Sequence, residues 1–273
     1  MICLARDGSI LVDDEVVCRV EIPDIELVSK IDSLGEGFVL AKGRCQIRAG
    51  EEPPLNAWII DAGGRIEVAF HAGDGIEEIL TDQSGDIWIG YFDEAFIMAA
   101  RVRELRGQRK PLGEGERMAM PLPGLIRWSA DGEPRWYAQL APVRLDWVDC
   151  YALNVGRRKV WAIPYPGFPV AEIDRDGIRV ARRSPIRFPS AIAVSGRNFL
   201  FLTGDDIPGH YDCVPASVED GELVAGEPVP LLLPDGSRPT AWATRRVCRD
   251  DRIWLRFGET WYVLSVSDCG PLR

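Results

Sequence analysis

Hydrophobic and polar residues alternate along this chain in short bursts, each closed by Gly, Asp or Pro. The clearest burst spans residues 75–93. Ile76, Ile79 and Leu80 give a first strand its apolar positions, residues 82–85 read Asp-Gln-Ser-Gly, and Ile87, Trp88, Ile89 and Tyr91 make a second strand. β-branched and aromatic residues favour the pleated surface of a sheet. Asp bonds its own backbone in a turn, and Gly tolerates positive φ there. The pattern therefore predicts a hairpin.

Copies of this hairpin recur. The strand Asp86-Ile87-Trp88-Ile89 is echoed by Lys159-Val160-Trp161-Ala162 and Arg252-Ile253-Trp254-Leu255, and less closely at 37–40 and 198–201. Strand-like runs precede these segments, at 25–31, 76–82, 148–154, 189–194 and 239–244. Gly-turn hairpins follow most of them, at 58–64, 126–132, 172–177 and 218–221. A four-strand unit recurring at roughly 40–50 residues is the period of propeller blades. The chain is therefore read as an all-β, single-domain β-propeller over residues 1–273. Five blades are favoured, at about 25–73, 75–142, 147–186, 188–236 and 238–269. The strand at 16–22 would join the last blade and close the ring. Two surplus runs, 2–5 and 10–12, keep a six-bladed reading open.

Two insertions interrupt the period, at 94–123 and 204–215, the first opening on a helix-like stretch at 96–105. Both join a second strand to a third, so both are expected on one face, where scaffold loops carry function. Asp93, Glu94, Asp206, His210 and Asp212 are the candidate partner or ligand residues of that face. An Asp at the end of the Trp88 strand is also suited to capping the turn that follows.

Charge narrows the classes. The 273-residue chain carries a formal net charge of −10, against the basic footprint that nucleic acid or an anionic membrane requires. No run approaches the ~20 apolar residues of a membrane helix. Residues 1–8 lack the basic and apolar regions of a signal peptide, which predicts a cytoplasmic protein. The seven cysteines are odd in number, form no Cys-x-x-Cys pair, and mostly lie in apolar runs, so they are read as reduced, buried thiols.

The run Gly85-Asp86-Ile87-Trp88-Ile89-Gly90-Tyr91-Phe92-Asp93-Glu94, with Pro123-Gly124-Leu125-Ile126-Arg127-Trp128-Ser129-Ala130-Asp131-Gly132 after the insertion, resembles one blade of a group of uncharacterised bacterial β-propeller-like proteins. The likeness covers about a fifth of the chain. It departs at Ala95, where the pattern has Gly, and in the charged connector between residues 101 and 117. The resemblance implies a fold and carries over no functional residue.

Aligning the presumed innermost strands places Glu26, Glu77, Asp149, Ser190 and Thr240 at one position. Oxygen ligands of this kind suit Ca²⁺ or Mg²⁺. Glu26, Glu77 and Asp149 are thus the candidate metal ligands, by architectural analogy with the sugar-lactonase and paraoxonase-like propellers. The plainer reading is a solvated channel. Only His71 and His210 are available as imidazole bases; His71 reads as an exposed turn residue, and His210 shares its loop with Asp205, Asp206, Asp212 and Cys213. Trp88, Trp161 and Trp254 are read as core. With no coherent catalytic set, the favoured function is non-catalytic ligand or protein binding through the loop-bearing face. The alternative is a divalent-metal-dependent, lactonase-like hydrolase with its carboxylate site at the channel mouth.

Overall fold

The structure is a computed structural model that describes residues 2–45, 52–92, 124–204 and 207–269. Its strands form six antiparallel sheets, and within each the strand order follows the sequence. Blade 1 holds β1 (Ile2–Leu4), β2 (Ser9–Val12) and β3 (Glu15–Arg19). Blade 2 holds β4 (Val28–Leu34), β5 (Gly37–Lys42), β6 (Ala57–Ile60) and β7 (Ile66–Phe70). Blade 3 holds β8 (Ile76–Thr81), β9 (Ile87–Tyr91), β10 (Leu125–Trp128) and β11 (Pro134–Tyr137). Blade 4 holds β12 (Asp149–Val155), β13 (Val160–Tyr165), β14 (Val170–Asp174) and β15 (Gly177–Arg182). Blade 5 holds β16 (Ala191–Ser195), β17 (Asn198–Thr203), β18 (Asp212–Glu219) and β19 (Glu222–Ala225), with β20 (Val229–Pro230) also paired to β18. Blade 6 holds β21 (Arg245–Arg249), β22 (Arg252–Phe257) and β23 (Thr260–Ser265). This is an all-β β-propeller fold with six blades.

Six blades replace the favoured five, for a local reason. The surplus N-terminal runs pair with each other, and β3 pairs with β2 instead of joining the last sheet. Alternation in such short strands marks their existence but not their partner. In blade 6 the first strand is β21, not the run at 239–244, which lies in loop. The insertion at 94–123, with its helix-like start, lies outside the described residues.

The chain divides into two compact units, residues 1–140 with 147–149, and 141–146 with 150–273. In the first unit, Phe38, Leu40, Trp58 and Ile60 face blade 1 and pack with Ile10, Cys18 and Val20. Their sequence neighbours Val39, Ala41, Ala57 and Ile59 face blade 3 and pack with Ile79, Ile87, Ile89 and Tyr91. The second unit repeats the device. Ile192, Val194, Phe199 and Phe201 pack toward blade 4, whereas Ala191, Ala193, Leu200 and Leu202 pack toward blade 6. Successive side chains of a strand point to opposite faces, and here both faces are covered, so inner strands read as unbroken apolar runs. Each fully buried large aliphatic or Phe contributes about 1.5–3 kcal/mol.

Turns close the hairpins as the sequence suggests. Asp82 Oδ1 accepts the Ser84 and Asp86 amides at 2.8 and 3.1 Å, and its Oδ2 accepts the Trp88 indole N–H at 2.8 Å. Gly85 supplies the φ of 84° that this turn needs. Among the described residues no helix is long and apolar enough to cross a membrane.

Candidate functional site

The expected site residues fall on several elements. Asp93, Glu94 and Asp206 lie outside the described residues. Glu26 sits exposed on a 3₁₀ turn before β4. Glu77 is half-buried at a bulge in β8, where its carbonyl accepts the Lys30 ammonium. The matching bulge in β4 falls at Ser29, so Glu26 is three residues out of register with Glu77. Asp149 opens β12, and Ser190 lies just before β16 with its hydroxyl donating to Leu202 O. Thr240 is exposed in a loop and belongs to no strand. Among the described residues no group of three or more His, Cys, Asp or Glu is placed to hold a metal ion.

Tyr211 and Gly209 fix the described part of the 204–215 connector. Tyr211 is fully buried, its carbonyl accepting the Leu231 amide at 2.9 Å and its hydroxyl accepting the Ala243 amide at 2.8 Å. Gly209, at φ 76°, passes so close to the chain that a Cβ would stand 1.8 Å from Pro239 O. His210 is exposed, Asp212 is half-buried at the start of β18, and Cys213 is buried in the strand. His71 is partly buried instead of exposed. Its Nδ1 donates to Pro54 O at 2.9 Å and lies 3.9 Å from Cys45 Sγ.

The constellation the structure does assemble was not singled out in the sequence. In blade 4 the connector from β13 to β14 is Pro166-Gly167-Phe168-Pro169, the same kind of second-to-third-strand connection as 204–211 in blade 5. Phe168 turns inward, is 3 % exposed, and belongs to the core between blades 4 and 5. Three rings gather on it, with centroids 5.0 Å away for Tyr151, 5.5 Å for Tyr165 and 4.8 Å for Phe188. Tyr151 meets it edge-on at 88° and Phe188 at 60°, the tilted packing that ring quadrupoles favour. Tyr151 also touches Tyr165 and Phe188, at 5.9 and 6.0 Å.

Two of the four rings remain open to solvent, Tyr165 at 37 % and Phe188 at 54 % exposure. Arg187 borders them. Its Nη1 donates to Gly167 O at 2.9 Å, and its guanidinium carbon lies 5.9 Å from the Phe168 ring centroid.

The backbone beneath the cluster is strained and stiff. Phe168 and Phe188 hold φ of 55° and 49°. A bulky side chain at positive φ is a genuine outlier, costing of order 1–3 kcal/mol, and such residues gather at functional sites. Tyr165, Phe168 and Phe188 each precede a proline, which narrows the conformations open to them. Those three aromatic–proline pairs are the signal in the sequence that would have located the cluster.

No family model matches the chain, and no curated protein matches it. Among solved structures it is similar to a streptogramin B lyase at 14% identity, covering 91% of this chain and 71% of that one, with a TM-score of 0.45. It is similar to BamB from Moraxella catarrhalis at 12% identity, covering 97% and 69%, with a TM-score of 0.48. It is also similar to the extracellular domain of a hybrid two-component system from B. thetaiotaomicron at 10% identity and a TM-score of 0.44. There the match covers 88% of this chain and about a third, 35%, of the other.

Proposed function

We propose that this chain is a non-catalytic binding propeller whose recognition surface is the cluster of Tyr151, Tyr165, Phe168, Phe188 and Arg187. The observation that carries this reading is the pair of solvent-open rings, Tyr165 and Phe188, held on a strained and proline-stiffened backbone. A site ordered before its ligand arrives loses little conformational freedom on binding. The groups that meet there are π faces, phenol hydroxyls and a guanidinium. They suit stacking on a flat ring and one polar or anionic contact.

The ligand class is therefore a ring with a flat C–H or π face. The test is ligand-detected NMR with panels of saccharides and of aromatic peptides, on wild type, Phe188→Ala and Tyr165→Ala. A ring stack contributes about 0.5–1.5 kcal/mol, so each variant should weaken a binder by about 2- to 13-fold. Both rings also pack on Phe168, so each variant's melting temperature is read alongside, and a binding loss at unchanged folded fraction is the supporting result. Binders that ignore both substitutions, or no binder in either panel, would overturn the proposal.

A further inference from the structure

The outer strands of the six blades differ in one respect. β3 carries Glu15 and Arg19, β7 Glu67, β11 Pro134 and Arg135, β15 Arg179 and Arg182, and β19 Glu222. Charges and prolines on an edge strand are the usual means of preventing another chain from pairing with it. β23 reads Thr-Trp-Tyr-Val-Leu-Ser and has none. It is also the third strand of its sheet, where blades 2 to 5 have at least four. Val263 on it is 52 % exposed.

The hydrogen-bond ladder shows which groups are offered. Val266 N–H donates to Asp251 O at 3.0 Å, which sets the alternation along β22 and β23. Tyr262 and Leu264 then bond inward to β22, while Trp261, Val263 and Ser265 direct N–H and C=O outward. The Ser265 amide is taken by Asp268 Oδ2 at 2.7 Å. Among the described residues, the outward backbone groups of Trp261 and Val263 have no partner.

We propose that β23 pairs antiparallel with β23 of a second copy of this chain, about a two-fold axis at Tyr262. In that register Trp261 of each copy lies opposite Val263 of the other. The N–H and C=O of these two residues form four backbone hydrogen bonds, using every open group named above. Tyr262 faces its own counterpart, and Thr260 faces Leu264. The pairs are aromatic with β-branched and aromatic with aromatic, both favourable across strands. Glu259 falls opposite Ser265, so no like charges meet along the strand. A symmetric dimer needs a patch that complements itself, and an uncharged strand with this spacing does.

The test is sedimentation of the full chain across a concentration series. Wild type should approach twice the 30.4 kDa chain mass. Val263→Pro removes only an outward amide, and proline is tolerated on an edge. It deletes two hydrogen bonds per dimer and should weaken association roughly 30-fold. Val263→Lys is the second variant, keeping the backbone but adding the missing charge, and it too should run at monomer mass with melting near wild type. Tyr262→Cys reads the register. Directly opposed residues of a non-hydrogen-bonded pair stand ~4.5 Å apart between Cα atoms, within disulfide reach, so mild oxidation should link the 262 positions. Thr260→Cys should not link to itself. A wild type that stays monomeric, a dimer untouched by both Val263 variants, or crosslinking at 260 instead of 262 would each overturn the proposal.

Discussion

At the scale of single residues, the burial of His71 sets a pH dependence. Burial holds the His71 imidazole below its ordinary pKa of 6.5, against the opposing pull of the Pro54 carbonyl and the Asp74 carboxylate. The folded protein therefore binds fewer protons at this site than the unfolded chain. The stabilisation is fully present above pH 6.5 and is lost as pH falls through the lowered folded value. Melting temperature should fall between pH 7 and pH 5, and His71→Gln should lessen that fall; an equal fall in both proteins would refute the assignment. Burial, with Asp74 nearby, pushes the Cys45 thiol up to about 11, so it stays protonated and resists alkylation in the native state. None of this was legible from sequence. His71 follows a strand and precedes Ala-Gly-Asp-Gly, which reads as an open turn. Its hydrogen-bond partner, the Pro54 carbonyl, lies 17 residues away in the chain. The aromatic cluster was hidden differently, because Tyr151 in β12 and Phe188 in the connector after β15 are far apart in sequence, and only the prolines after Tyr165, Phe168 and Phe188 hint that the rings are held.

At the scale of elements, the strands were readable because their pattern is local. The Ile-Trp strand at 86–89, its echoes, and the Asp-Gly hairpins all fall where periodicity put them. Partner choice was not readable, as the N-terminal strands show, since alternation names a face and not a neighbour. Blades are joined by buried side chains that bond across sheets. Asp32 Oδ2 in β4 accepts the Thr81 amide and hydroxyl in β8 at 2.7 and 3.0 Å. Asn154 Nδ2, fully buried in β12, donates to Ile192 O and Asp250 O at 2.8 and 2.9 Å. Removing one partner leaves the other unsatisfied in the interior, at about 1–3 kcal/mol. Asp32→Ala and Asn154→Ala should each lower the denaturant midpoint accordingly, with unchanged slope; an effect near zero in both would show that the blades are held by apolar packing alone.

At the scale of the whole molecule, charge opposes self-association. Two copies at −10 repel over distances that salt screens, whereas strand pairing between uncharged residues is insensitive to salt. Dimerisation through β23 should therefore tighten as ionic strength rises. Weakening with salt would mean that ion pairs hold the copies together instead. One turn residue late in the chain bears on how the protein is made. The carbonyl of Asp250 accepts from Asn154 in blade 4 and from the Val194 amide in blade 5, and its carboxylate accepts the Arg157 amide. On the ribosome those donors leave the exit tunnel long before their shared acceptor, at ~5–20 residues per second. Nascent blades 4 and 5 thus hold hairpins whose buried amides wait for a residue not yet translated, and chaperones would meet them in that interval. A chain released just short of position 250 would leave the Asn154 amide and the Val194 N–H without this acceptor.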